Sequence, residues 1–167
     1  YGEVFAPSPN QNTARALCAM TVAMGLQRMA WDIKLAYCWA DLPDNRLVAL
    51  KYPKGYERTR DIPGTNGETE PEYIILRKNC YGLPAAGKTW ADHRDKYMLE
   101  RFNEENYKCT QCVYDPCLFY ITRGDRMRND DAVTNERRPY AEEAWISIHT
   151  DDCDAYGTSK KLLKDIY

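Results

Sequence analysis

The sequence contains no apolar run long enough to span a bilayer and no signal-peptide pattern at its start, so it does not describe a membrane-embedded or secreted protein. It also lacks any excess of positive charge. Its 23 Lys and Arg stand against 25 Asp and Glu, a net charge of −2, which excludes a globally basic nucleic-acid surface. Phosphate binding would have to use local clusters, Arg77-Lys78 with Lys88 or Lys160-Lys161 with Lys164, for which a solvated face is the simpler reading. Seven cysteines, an odd number without a secretory signal, read as reduced thiols in a cytoplasmic or nuclear setting. Cys109, Cys112 and Cys117 could supply three zinc ligands, but the only two histidines, His93 and His149, are remote in sequence and leave the fourth position open. No internal repeat is present.

What remains is an ordinary globular composition. With 167 residues, 44% apolar and 29% charged, the chain suits a single domain, residues 1–167, able to bury a core. It begins at Tyr1 without a methionine and ends inside a predicted helix, as a piece of a longer protein would.

Pro7 and Pro9 mark an extended lead-in. Asn10 or Asn12 can cap a helix to about Gln27, with Ala14, Leu17, Cys18, Thr21, Val22 and Met24 as its apolar stripe and Gly25 near its end. Met29 to Ile33 follow as a short buried-strand pattern. Lys34 to Asp41 form a helical turn and Leu47 to Tyr52 a strand. Residues 53–71, with three prolines and three glycines, read as a long surface loop. Glu72 to Arg77 return as a strand. Cys80 to Gly87 make a glycine-bearing turn into a helix over about Lys88 to Asn103, its buried side being Trp90, Tyr97, Met98 and Phe102. Such an entry can hold phosphate through backbone N–H groups, though a plain turn explains it equally. Cys117 to Thr122 form another strand, and Gly124 to Pro139 a charged loop. A hairpin over Trp145 to Gly157 follows, then a helix capped by Thr158 or Ser159. This order predicts an α+β domain whose antiparallel sheet is backed by helices.

Three carboxylates carry the chemistry. Asp32 interrupts a buried-strand pattern, where an acid is costly without a partner or a metal. Asp151 and Asp152 sit together at a hairpin tip, where they repel unless a cation neutralises them. An edge-strand acid and a solvated Asp-Asp turn are the plain alternatives. If the sheet brings all three together, they can hold two divalent metals about 3.5–4 Å apart for in-line phosphoryl displacement. Mg²⁺ suits such work, because it keeps several waters and takes only one or two protein carboxylates.

Five ordered blocks then resemble the reverse transcriptase domain of Ty1/copia-type LTR retrotransposons: YGEVFAP from Tyr1, WDIKLAYCWADL from Trp31, LRKNCYGLPAAGKTW from Leu76, DPCLFY from Asp115 and IHTDDCDAYG from Ile148. The resemblance implies the fingers and palm of an RNA-directed DNA polymerase, with the thumb outside this fragment. It implies catalytic, metal-binding roles for Asp32, Asp151 and Asp152, with two Mg²⁺ ions or Mn²⁺ in their place. Tyr37 would take the position of the ring that excludes a ribose 2′-hydroxyl. Tyr81 and Gly82 would lie by the incoming nucleotide and template, and Arg15 would reach a triphosphate. Implied partners are an RNA or DNA template with its primer, deoxynucleoside triphosphates, and the integrase and RNase H regions of a polyprotein, in a cytoplasmic particle or the nucleus and without a membrane. The chain departs from the family pattern at Ala30-Trp31, Pro84-Ala85, Lys88, His149-Thr150 and Cys153-Asp154. Those departures support an alternative, a diverged, catalytically inactive remnant acting at most as a binding module.

Overall fold

The structure, a computed structural model, describes residues 4–42, 46–103, 106–124 and 142–167. Helix α1 (Gln11–Met24) leads into strand β1 (Gln27–Asp32) and a single helical turn, α2 (Ala36–Trp39). Four three-residue strands come next: β2 (Ala49–Lys51), β3 (Thr59–Asp61), β4 (Thr69–Pro71) and β5 (Tyr73–Ile75). Helix α3 (Ala86–Arg101) precedes β6 (Tyr107–Gln111), β7 (Leu118–Arg123), β8 (Glu142–His149) and β9 (Asp152–Gly157), and α4 (Lys160–Ile166) follows. Five of the strands join in one antiparallel sheet in the order β1-β9-β8-β7-β6. The expected α+β class with a helix-backed antiparallel sheet is therefore what forms.

Period-two alternation sorts each strand between two faces. Phe119, Ile121, Ala144, Ile146 and Ala155 are fully buried on one face, beneath Met98 and Phe102 from α3 and its end and Leu162, Leu163 and Ile166 from α4. The opposite face carries Asp32, His149, Asp152 and Asp154, and it is covered in part by α1, where Leu17 and Leu26 meet Tyr156, Trp145 and Leu118. Pairing α4 with the sheet is also polar: Arg123 reaches both Glu142 and Asp165, and the Ser159 hydroxyl, which caps α4, donates to Glu142.

Several sequence expectations shift. Helix α1 stops at Met24 rather than Gln27, because Gly25 takes the left-handed conformation (φ 64°) and closes the helix there. Within it only Leu17 is buried, while Val22 is 86% exposed, so most of the expected stripe stays at least partly open to solvent among the described residues. In α3 the buried row is Ala86, Trp90, Arg94 and Met98, each four residues apart; Tyr97 lies off this row and is exposed. Residues 53–71 are not all loop, since β3 and β4 pair within them across a turn whose Gly64 and Gly67 have positive φ. Strands β2 and β5 make a second two-stranded ribbon. Strand β6, the edge of the main sheet, was masked in the sequence by the Cys109-x-x-Cys112 spacing, although Tyr107, Cys109 and Gln111 alternate as a strand should. The charged loop expected at 124–139 lies outside the described residues apart from Gly124.

Candidate active site

The end of the sheet where β1, β8 and β9 meet gathers the acids. Asp32, the last residue of β1, is the register partner of Asp152, the first of β9, and Asp152 in turn faces His149 at the end of β8. Neighbouring strands lie about 4.8 Å apart and paired side chains share a face, so Asp32, Asp152 and His149 form a row across three strands. All three are exposed. Two like charges directly opposite each other destabilise a sheet unless something offsets them.

Thr150 and Asp151 form the two-residue turn between β8 and β9. Thr150 has φ 56°, a left-handed conformation that a β-branched residue resists. Two hydrogen bonds hold it from outside: the Trp90 indole N–H donates to Thr150 O at 2.7 Å, and the Ile33 N–H donates to Asp151 O at 2.7 Å. Helix α3 and the chain leaving β1 thus brace the turn from both sides. Leu35, three residues after Asp32, also has φ 56°. Thr150 and Leu35 are the two non-glycine positive-φ residues among the described residues, and both adjoin the carboxylates. Such strain, overdetermined by its surroundings, is a feature of functional sites.

Tyr37, on α2, is half-buried, and its ring lies 4.6 Å from that of Tyr81. The Tyr81 phenol is held above its ordinary range by partial desolvation first, then by the negative field of Asp151, with Cys38, Tyr37 and Asp32 adding to it. Tyr37, Tyr81, Asp32 and Asp151 are therefore electrostatic neighbours. Gly82 has φ 92°, a conformation that suits glycine, so its presence follows from the turn itself. Gly87 answers to close packing: a Cβ there would meet Ala6 Cβ at 3.1 Å, with the Tyr37 hydroxyl 4.0 Å away. Arg15 is exposed on α1, and among the described residues no hydrogen bond or ion pair joins it to the three aspartates.

Asp154, one of the departures from the family pattern, does not enter the core. It projects to the face opposite the main core, where Arg28 grips it with two hydrogen bonds of 2.8 and 2.9 Å and the Tyr156 hydroxyl donates to it at 2.6 Å. Asp115 is 3% exposed and structural: it accepts the N–H groups of Asn10 and Cys117 and so ties the lead-in to β7. Sequence reasoning missed Arg28 and Trp90 as neighbours of the site, while His149 was already placed beside the paired aspartates. Only the i−4 spacing of Arg28 from Asp32, which returns it to the same strand face, could have flagged one of them.

Oxygen donors suit a hard cation such as Mg²⁺. Asp32 and Asp152 fit as a facing pair with Asp151 beside them, yet no group of three or more His, Cys, Asp or Glu among the described residues closes into a ready metal cage. The cysteines make no cage either. Burial raises the Cys109 thiol to about 11, and Cys117 is buried and donates to Pro7 O at 3.3 Å. Of the basic clusters, Lys78 pairs with Asp41 at 2.6 Å and Lys88 with Asp92 at 2.5 Å. No helix among the described residues is long and apolar enough to cross a membrane. Comparison of the chain with protein-family models, curated proteins and solved structures yields no match.

Proposed function

We propose that the chain is the fingers and palm portion of an RNA-directed DNA polymerase of the Ty1/copia type, adding deoxynucleotides to a primer 3′ end. The observation that carries the reading is the register: Asp32 opposite Asp152, with Asp151 in a braced, strained turn, at the open end of an antiparallel sheet. Two Mg²⁺ or Mn²⁺ ions held there would lower the pKa of an attacking hydroxyl and neutralise the triphosphate as it transfers. Mg²⁺ needs only one or two protein carboxylates, so a facing pair whose remaining ligands come from water and phosphate agrees with this use. Tyr37, steadied by Tyr81 and close against Gly87, would present its ring to the sugar 2′ position. The exposed acids leave a solvent-facing surface at which a primer end and a template could meet them. The substrates are deoxynucleoside triphosphates with a primed RNA or DNA template, in a cytoplasmic particle or the nucleus and beside integrase and RNase H in one polyprotein.

Primer extension on an RNA template with Mg²⁺ tests the reading, and calorimetric titration with Mg²⁺ or Mn²⁺ tests its metal step. Asp151→Asn is expected to abolish extension and to lower cation uptake. Extension that persists in that variant would sink the assignment. If the unaltered chain takes up no cation that depends on Asp32, Asp151 or Asp152, the chain is a non-catalytic remnant instead.

A further inference from the structure

Strand β1 ends the main sheet, and its outer edge is open. The bond from Ile33 N–H to Asp151 O fixes the alternation along it. Gln27, Met29 and Trp31 turn their backbone groups to β9, and Arg28, Ala30 and Asp32 turn theirs away. Among the described residues nothing bonds those outward N–H and C=O groups, and all three residues are exposed. At the opposite edge, β6, the Asn103 side chain accepts from Cys109 N–H at 3.0 Å and donates to Cys109 O at 3.3 Å. Strand β1 has no such cover, and it contains no proline, lysine or bulge, the usual means of keeping an edge unpaired.

The side chains of this edge are self-complementary. Arg28 and Asp32 lie four residues apart on one strand face, with Ala30 midway between them. Asp32 makes no ion pair among the described residues and faces the like charge of Asp152. Arg28 uses two of its N–H groups on Asp154, which leaves donors to spare on a side chain 59% exposed.

We propose that β1 pairs antiparallel with β1 of a second copy of this chain, about a two-fold axis through Ala30. In that register Ala30 faces Ala30 of the second copy, Arg28 faces its Asp32, and Met29 faces its Trp31. The residues whose backbone groups point outward are then opposite one another, so about six backbone hydrogen bonds close the edge. Each Asp32 gains a guanidinium that offsets Asp152. A shift of one residue breaks the hydrogen bonds, and a shift of two breaks the charge pairs. The self-association needs nothing from the polymerase reading, although it occupies the same Asp32.

Sedimentation equilibrium of the chain at up to about 1 mM, a range that suits a contact this small, is expected to show a monomer–dimer equilibrium. As the dimer fills, the amides of Arg28, Ala30 and Asp32 should slow in hydrogen exchange. Those of Tyr107 and Gln111, which face out at the β6 edge, should stay unchanged. Ala30→Pro, which removes an outward N–H and leaves the bonds to β9 intact, should weaken association at least about tenfold. Arg28→Asp sets acid against acid and Asp32→Arg sets base against base, so each alone should stay monomeric with circular dichroism unchanged. Mixed in equal amounts, these two variants restore both charge pairs and should form a heterodimer. The exchange measurement uses the unaltered chain, so it decides the matter even if a variant fails to fold. A chain monomeric throughout, a dimer that leaves the three β1 amides unprotected, or a mixture of the two folded variants that stays monomeric overturns the proposal.

Discussion

The two faces of the main sheet come from the same strands and differ in almost everything else. On one, Phe119, Ile121, Ala144, Ile146 and Ala155 are fully excluded from water beneath α3 and α4. On the other, one residue along each strand, stand Asp32, Asp152, Asp154, Ser147 and His149, with α1 covering only the part near Tyr156. The difference shows how stability and chemistry share one backbone. The packed face supplies the burial that keeps the strands in register, and register alone sets Asp32 opposite Asp152. A one-residue slip of β9 would exchange Asp152 for Cys153 and put an acid into the core.

Substitutions that separate the faces should scale with burial. Phe119→Ala, on the packed face, is expected to cost about 3–5 kcal/mol in denaturant unfolding, whereas Ser147→Ala on the other face stays within about 0.5 kcal/mol. Similar losses from the two would end the distinction. Trp90→Phe keeps most of the burial but drops the hydrogen bond to Thr150, so thermal unfolding should report a loss of about 1 kcal/mol. Arg28→Ala frees Asp154 from its ion pair. Because Arg28 is largely exposed, the cost should stay below about 1 kcal/mol and shrink as salt rises.

Asp152→Asn has the opposite sign. Removing one of two facing like charges should raise stability by on the order of 0.5 kcal/mol in metal-free buffer, and a clear loss would mean that the pair is not repulsive.

The smallest effect concerns Glu142. Its hydrogen bond from Ser159, followed by those from Arg123, holds its carboxyl below the usual 4.5. The unfolded chain therefore takes up that proton first. The contribution is complete above 4.5 and is lost as pH falls through the lower folded value, so Glu142→Gln should flatten the acid limb of a melting-temperature profile.

Much of the fold could be read along the chain because its signals are local. Asn10 and Ser159 cap α1 and α4 as their side chains allow, and Gly25 ends α1 as a residue without a Cβ can. The alternation of Trp145 to Gly157 announced the hairpin. Strand β6 and the small ribbons were harder, since three to five residues carry little periodicity and their identity comes from a partner strand. The apolar residues of α1 misled for a related reason: a stripe shows that burial is possible, not that another element arrives to provide it.

For the candidate site, the sequence by itself determined the inventory: three carboxylates, two of them adjacent, and two tyrosines, each fixed by residue identity. Only tertiary structure decided how they meet. Asp32 and Asp152 are 120 positions apart in number, and antiparallel pairing of β1 with β9 makes them neighbours. The same pairing made Asp154 the partner of Arg28, and folding α3 across the sheet placed Trp90 against Thr150 and buried Arg94. These are contacts between strands and between layers, and they depend on register and packing direction, quantities no single stretch of sequence contains.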